Sequence, residues 1–202
     1  MGVMMIAKII DKCVYFMVRQ GVVQDTDEQK AIYSYGLELQ LYFIIHAVLL
    51  ILMGCFFGSG FEVSLLLLLF GMLQVNAGGY HAKTHMRCFV TMMVGVLLFL
   101  WLLPIFQGMF FLQLCSVVLG VAIIFLLAPV AHKNHPLSPM LSVRLGQRAK
   151  IIAVGFMLLW CIFIIFDINS LLRGIIPVVM AFTVFSLLCA WLKKKRFSVF
   201  EY

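Results

Sequence analysis

The sequence predicts an all-α membrane protein, a polytopic bundle of six transmembrane helices preceded by an amphipathic helix in the membrane interface. Of its 202 residues, 64% are hydrophobic and only 11% are charged, whereas soluble domains are roughly 45–50% apolar and about 25% charged. Apolar runs of about 17–21 residues recur along the chain and are long enough for a hydrocarbon core of roughly 30 Å. We therefore expect a single integral membrane domain over residues 1–202.

The N-terminal segment, residues 1–24, is amphipathic at helical spacing. Ile6, Ile9 and other apolar residues share one broad face, and Lys8 and Lys12 lie largely opposite. Because this number of charges disfavours a membrane span, we expect the segment to lie in the membrane interface. The same charges interrupt the first apolar stretch, and we expect no cleavable signal peptide.

The six-span bundle is predicted over residues 25–192. Thr26 is followed by two acidic residues and Gln29, the form of a capping box, which predicts that a long helix begins here. Glycine-containing or polar turns separate most of the apolar runs that follow. The predicted spans cover residues 40–57, 61–78, 89–106, 110–130, 150–166 and 174–192.

The basic residues indicate an orientation. With six spans, every one of the 15 Lys and Arg residues except Arg173 falls on one side, including those of the basic tail, residues 193–202. Because Lys and Arg are enriched on the cytoplasmic side, we predict that both termini are cytoplasmic. The net charge of +7 does not indicate nucleic acid, since the cations flank apolar runs and suit contacts with anionic lipid in the bilayer.

A polar stretch at residues 74–90, QVNAGGYHAKTHMRCFV, stands between the second and third spans. Placing polar groups near lipid costs free energy, so such groups are usually hydrogen-bonded or have a function. A thiol beside an imidazole and cations is the usual setting of a reactive thiolate. Among six cysteines only Cys88 has this setting, with His81 and His85 as candidate bases. The predicted orientation puts this candidate site at the cytoplasmic surface.

The spacing of His81 and Cys88 has a geometric consequence. Residues seven apart on a straight helix lie about 10.5 Å apart along its axis. If His81 activates Cys88, residues 78–88 cannot form one continuous helix, and Gly78-Gly79 supplies the freedom to bend. We therefore predict a broken or re-entrant backbone that is buried in protein or faces water.

Cys88 would then begin the third span. There the positive end of the helix dipole, together with Lys83 and Arg87, favours the thiolate. His85 stands three residues before Cys88 and would face it on an ordinary helix, so the residues alone do not separate the two candidate bases.

Other interpretations of this stretch stay open. His81, His85 and Cys88 could bind a metal from one helical face, with His132 or His135 as a fourth ligand. The imidazole and thiol could also be interfacial groups without a catalytic role.

Seven residues are candidates for substrate binding or orientation: Gln74, Asn76, Gly78, Gly79, Lys83, Arg87 and Glu38. Gln74 and Asn76 precede the site by a turn or more and could orient the imidazole or bind the substrate backbone. Glu38 lies at the cytoplasmic entrance of the first span, where it could orient His81 or contact a basic part of a substrate.

The segment GGYHAKTHMRC, with His and Cys seven residues apart after a double glycine, resembles the active-site stretch of the accessory gene regulator B family. These proteins are bacterial membrane cysteine endopeptidases that process quorum-sensing propeptides. A second similar stretch, DEQKAIYSYGLELQLYFI, covers residues 27–44, and the hydrophobic layout fits from about residue 27 onward. The resemblance implies a bacterial cell-membrane location, His81 as the base and Cys88 as the nucleophile. We expect no metal and no cofactor.

The resemblance also implies a reaction and its partners. A short propeptide would dock through its own amphipathic helix and be cut on its C-terminal side through a Cys88 thioester. An internal cysteine or serine would then close a thiolactone or lactone ring, giving an autoinducing peptide. A homodimer is expected at the level of the family. The competing classes are a non-enzymatic transporter or assembly protein and a metal-dependent membrane hydrolase.

The chain departs from the family pattern at one position. Members often carry an arginine seven residues before the histidine, where this chain has Gln74. The role of that arginine is therefore not transferred, and substrate recognition here is expected to differ.

Overall fold

The computed structural model describes residues 2–79, 84–130 and 138–198, which form seven α-helices and, within those ranges, no β-strand. Six of these helices are long and apolar enough to cross a membrane. The predicted all-helical fold with six spans is thus confirmed. The helices are α1 (Gly2–Arg19), α2 (Asp27–Phe56), α3 (Gly60–Ala77), α4 (His85–Gly108), α5 (Phe110–Leu127), α6 (Pro139–Ile165) and α7 (Ser170–Ser198).

The chain divides into two compact units, Met1–Leu49 and Leu50–Tyr202. The first unit holds α1 and the N-terminal part of α2. Its α2 begins as the capping box predicts, because the Gln29 N–H donates to Thr26 Oγ1 over 3.3 Å. That residues 1–202 act as a single domain stays a prediction.

Helix α7 forms the centre of the second unit. It packs against α3, α4, α5 and α6. Half of the residues in its most apolar stretch are buried, compared with 22% in each of those four helices. Apolar residues from consecutive turns of α7 account for this: Ile175, Ile176, Val178, Val179, Met180 and Leu187 are all at most 1% exposed. The last span is therefore the core around which α3, α4, α5 and α6 pack.

A buried polar network joins three helices at one end of this unit. Gln113 of α5 is 3% exposed; its Nε2 donates to the Phe106 carbonyl of α4 over 2.5 Å, and its Oε1 accepts from Trp160 Nε1 of α6 over 3.2 Å. The same end holds Met109, between α4 and α5. We call it the Met109 end. The opposite end holds the candidate site.

Candidate functional site

The described residues between α3 and α4, which are Gly78, Gly79 and Thr84, are not helical; we call the segment between the two helices the linker. Helix α3 ends at Ala77, Gly78 has φ +72, and α4 begins after its N-cap Thr84. Residues 78–88 are therefore not one continuous helix, which confirms the prediction made from the spacing of His81 and Cys88. His81 and Lys83 themselves lie outside the described residues.

The first part of the linker is attached to the segment after α5. The Val130 N–H donates to the Ala77 carbonyl over 3.0 Å, and Gly78 and Val130 form a parallel bridge. A Cβ on Gly146 of α6 would lie 2.9 Å from the Pro129 ring, so α6 packs closely behind this segment. The ends of α3 and α5 and the N-terminal part of α6 thus meet at one end of the unit, which we call the linker end.

Helix α7 also contacts the linker. Gln74, in the last turn of α3, donates from Nε2 to Ser186 Oγ of α7 over 2.9 Å. The backbone of Gly79 lies against this pair, because a Cβ on Gly79 would be 2.6 Å from Gln74 Cδ and from Ser186 Oγ. Two predicted residues, Gln74 and Gly79, therefore come together with a third that the sequence did not indicate.

Cys88 lies at the end of the first turn of α4. Its N–H donates to the Thr84 carbonyl over 3.0 Å, and the Arg87 N–H donates to Thr84 Oγ1 over 3.3 Å. Thr84 thus caps the helix that carries the thiol, and the capping hydroxyl fixes where that helix begins.

The thiol lies on the face of α4 that packs against α7. Cys88 is half-buried and precedes Gly95 by seven residues, about two turns, so the two share a face. A Cβ on Gly95 would lie 3.6 Å from the Phe182 ring of α7. Two residues on another face of α4, Val90 and Val94, are 44% and 48% exposed.

An open groove of about 290 Å³ lies along the first turns of α4. Its lining combines apolar surface with one cation and one hydroxyl: Met86, Arg87, Val90 and Thr91.

The remaining predicted residues are dispersed. Asn76 is half-buried and donates from Nδ2 to the Met72 carbonyl of its own helix over 2.8 Å. Glu38 belongs to the first unit, and its role beside His81 stays a prediction. His85 is the first residue of α4, but its side chain is outside the described part, so the choice of base also stays a prediction.

The metal-site alternative is tested only in part. Among the described residues, no group of three or more His, Cys, Asp or Glu is placed to hold a metal ion. His81, His132 and His135 lie outside those residues, so the alternative built on them stays open.

Two residues of the linker end carried little signal in the sequence. Ser186 is a small hydroxyl-bearing residue in an apolar span, and in the sequence it is only a minor interruption of the hydrophobic pattern. Val130 reads as the end of an apolar run. Their roles depend on pairings between segments far apart in the chain, which no local pattern reveals.

The fold and the site define a class: a polytopic helical membrane protein with a single thiol at the start of a span, beside a glycine linker. The family model described as Accessory gene regulator B matches residues 10–191, and the chain belongs to this family. It is similar to "Accessory gene regulator protein B" of Staphylococcus intermedius, with 29% identity over 133 residues. That match covers 66% of this chain, and the chain spans 62% of the length of this curated relative. No solved structure matches the chain.

Proposed function

We propose that this chain is a membrane-embedded cysteine endopeptidase that cleaves a short signal propeptide and closes it into a ring. One observation carries the proposal: Cys88 is held in the first turn of α4, on the face toward α7. The chain leaves helical structure at Gly78 and Gly79, and the sequence between that break and α4 contains His81. Family membership supports the propeptide as the substrate class.

In the first step, His81 takes the proton of the Cys88 thiol as general base. The thiolate attacks the carbonyl carbon of the scissile peptide bond and forms a tetrahedral intermediate. The C–N bond then breaks, the imidazolium of His81 gives its proton to the departing amine, and the N-terminal part stays on Cys88 as a thioester. The position of Cys88 near the N-terminus of α4 supports this step, because the helix dipole favours negative charge there.

In the second step, an internal thiol or hydroxyl of the bound propeptide attacks the thioester carbonyl. The attacking group loses its proton to His81, the C–S bond to Cys88 breaks, and the Cys88 thiolate is reprotonated. A thiolactone or lactone ring leaves. Attack by water would release a linear product instead, and packing of the thiol face against α7 supports ring closure because it limits access of water.

The charges of the second unit support a cytoplasmic site. Cations collect at the linker end: Arg87, Arg144, Arg148, Lys193 and Lys195. Gly174, next to Arg173 in α7, packs against Gln107 of α4 near the Met109 end, and Arg173 is paired there with Asp167 over 2.5 Å. By the enrichment of Lys and Arg on the cytoplasmic side, the linker end and the C-terminal basic segment face the cytoplasm.

The groove along the first turns of α4 supports binding of an amphipathic peptide. Met86 and Val90 offer apolar surface, and Arg87 offers a cation within one residue of Cys88. A propeptide helix lying in the interface would reach this groove from the same membrane face.

Co-expression with the cognate propeptide tests the proposal. The membrane fractions of wild type, Cys88→Ala, His81→Ala and His85→Ala are compared by mass spectrometry for cleaved, cyclised and Cys88-linked propeptide. We expect cleavage by wild type and His85→Ala, no cleavage by the other two, and a thioester adduct on Cys88.

The matched control is Cys189→Ala, which removes another half-buried thiol, and we expect it to cleave like wild type. Cleavage by Cys88→Ala at the wild-type rate would overturn the thiol mechanism. Cleavage by His81→Ala together with loss in His85→Ala would transfer the role of base to His85.

A further inference from the structure

We propose that Gln74 and Ser186 form a polar clamp that holds the α3–α4 linker against α7 and thereby positions the catalytic segment. The inference rests on the proposed function, which it extends to a residue of the last helix. Both are positioning residues, because they act through the linker and not on the reacting atoms.

The first argument is the chemistry of the contact. The hydrogen bond from Gln74 Nε2 to Ser186 Oγ measures 2.9 Å and is part-buried. A hydrogen bond between transmembrane helices shifts an equilibrium about three-fold on average and up to roughly twenty-fold. That is too little to explain the fold but enough to select one position of a short linker.

The second argument is the packing of Gly79. Its backbone is buried, and the Gln74 amide and the Ser186 hydroxyl occupy the space where a side chain would begin. The clamp therefore contacts the second linker glycine, which is two positions before His81 in the sequence.

The third argument is the anchoring on the other side of Gly79. Gly78 donates its N–H to the Gln74 carbonyl over 3.0 Å and bridges to Val130. The Gln74 side chain and main chain thus hold consecutive linker residues. Gln74 Oε1 is shielded from solvent and has no hydrogen-bond partner among the described residues, so Ser186 supplies the one described partner of this amide.

The fourth argument is the register of α4 against α7. These helices run in opposite directions, since the linker end holds the start of α4 and the later turns of α7. Gly95 lies level with Phe182, so moving four residues along each helix places Ser186 level with position 91. Cys88 lies about one turn farther toward the linker end than this level.

The test uses the full chain in lipid nanodiscs and measures two properties. The first is the rate of propeptide cleavage by Gln74→Leu, Ser186→Ala, the double variant and Ser186→Thr. The second is hydrogen exchange of peptides that contain the Gly78 and Val130 amides. Thr183→Ala is the matched control, because it removes another buried hydroxyl from α7 whose hydrogen bond goes to the Val179 carbonyl of its own helix.

We expect Gln74→Leu and Ser186→Ala each to slow cleavage roughly three-fold to twenty-fold, the extent to which one hydrogen bond between transmembrane helices shifts an equilibrium. The double variant should be no slower than the slower single variant, because both remove the same contact. Ser186→Thr should recover most of the rate. Exchange at Gly78 and Val130 should become faster in the impaired variants and stay unchanged in Thr183→Ala.

Cleavage within two-fold of wild type in either clamp variant, or additive losses in the double variant, would overturn the clamp. So would unchanged exchange at Gly78 and Val130. Hydrogen exchange can be measured without the cleavage reaction. It therefore tests the clamp even if the Cys88→Ala variant still cleaves and overturns the proposed function.

Discussion

Gly78 and Val130 pair through their backbones, although two membrane helices separate them in the chain. Gly78 adopts φ +72, and a Cβ at this position would collide with the Val130 carbonyl. We expect Gly78→Ala to lower the free energy of unfolding by about 1–3 kcal/mol from the backbone conformation alone, and to abolish propeptide cleavage. Thermal unfolding in detergent and the cleavage assay measure both effects.

The matched control for that variant is Gly71→Ala in the preceding helix, α3. A Cβ on Gly71 would meet nothing within 4 Å, and alanine favours a helix interior over glycine by about 1 kcal/mol. Gly71→Ala should be as stable as wild type or more so. Equal behaviour of the two alanine variants would contradict the assigned role of Gly78.

The buried network at the Met109 end should affect stability and not catalysis. Gln113→Leu leaves Trp160 Nε1 and the Phe106 carbonyl without this partner, and each unsatisfied buried group costs about 1–3 kcal/mol. We expect a lower unfolding midpoint but an unchanged cleavage rate per folded molecule, because the linker end is not touched.

A double-mutant cycle with Trp160→Phe isolates one of these contacts. Phenylalanine keeps an aromatic ring to stack on Phe110, whose ring centroid lies 6.1 Å away, and removes only the indole donor. The double variant should be less destabilised than the sum of the single variants. Simple additivity would mean that the hydrogen bond contributes nothing measurable.

The N-cap of α4 should matter for catalysis as well as for stability. Thr84→Ala removes the hydroxyl that accepts from the Arg87 N–H, which costs about 1 kcal/mol and loosens the turn that carries Cys88. Cleavage should fall several-fold, and Thr84→Ser should restore it. Unchanged cleavage in Thr84→Ala would show that the cap does not position the thiol.

Ser138→Ala supplies the comparison, since Ser138 caps α6 in the same way by accepting from the Leu141 N–H over 3.3 Å. A similar loss of stability is expected, but with near-normal cleavage per folded molecule. This pair separates a general effect of helix capping from an effect on the site.

The proposed orientation predicts a labelling pattern. In a variant without native cysteines, Thr84→Cys and Ser138→Cys should react with a membrane-impermeant maleimide only in inside-out vesicles, because both exposed positions start helices at the linker end. Met109→Cys, at a position 54% exposed, should react only in right-side-out cells. The opposite pattern would invert the proposed topology.

Much of the fold follows from local patterns in the sequence. Hydropathy locates six spans because apolar runs must satisfy their backbone groups as helices within lipid. The cap at Thr26 was readable because its partner, Gln29, lies three residues away. The break after Ala77 follows from a double glycine and from the distance between His81 and Cys88.

The remaining features depend on pairings between distant segments. Gln74 meets Ser186 across the unit, and Gln113 binds partners on two other helices. Each is a single polar residue in an apolar run, and hydropathy treats it only as a small reduction in membrane affinity. Such partners are decided by how the helices pack, and one sequence does not encode that in a periodic pattern.

The central place of α7 has a consequence for biosynthesis. Ribosomes add roughly 5–20 residues per second, so Ser186 is made on the order of ten seconds after Cys88. Until α7 enters the bilayer, helices α3 to α6 lack the surface against which they pack, and the face of α4 that carries Cys88 has no helix opposite it. The candidate site around Cys88 therefore stays incomplete during translation until the last helix has been made.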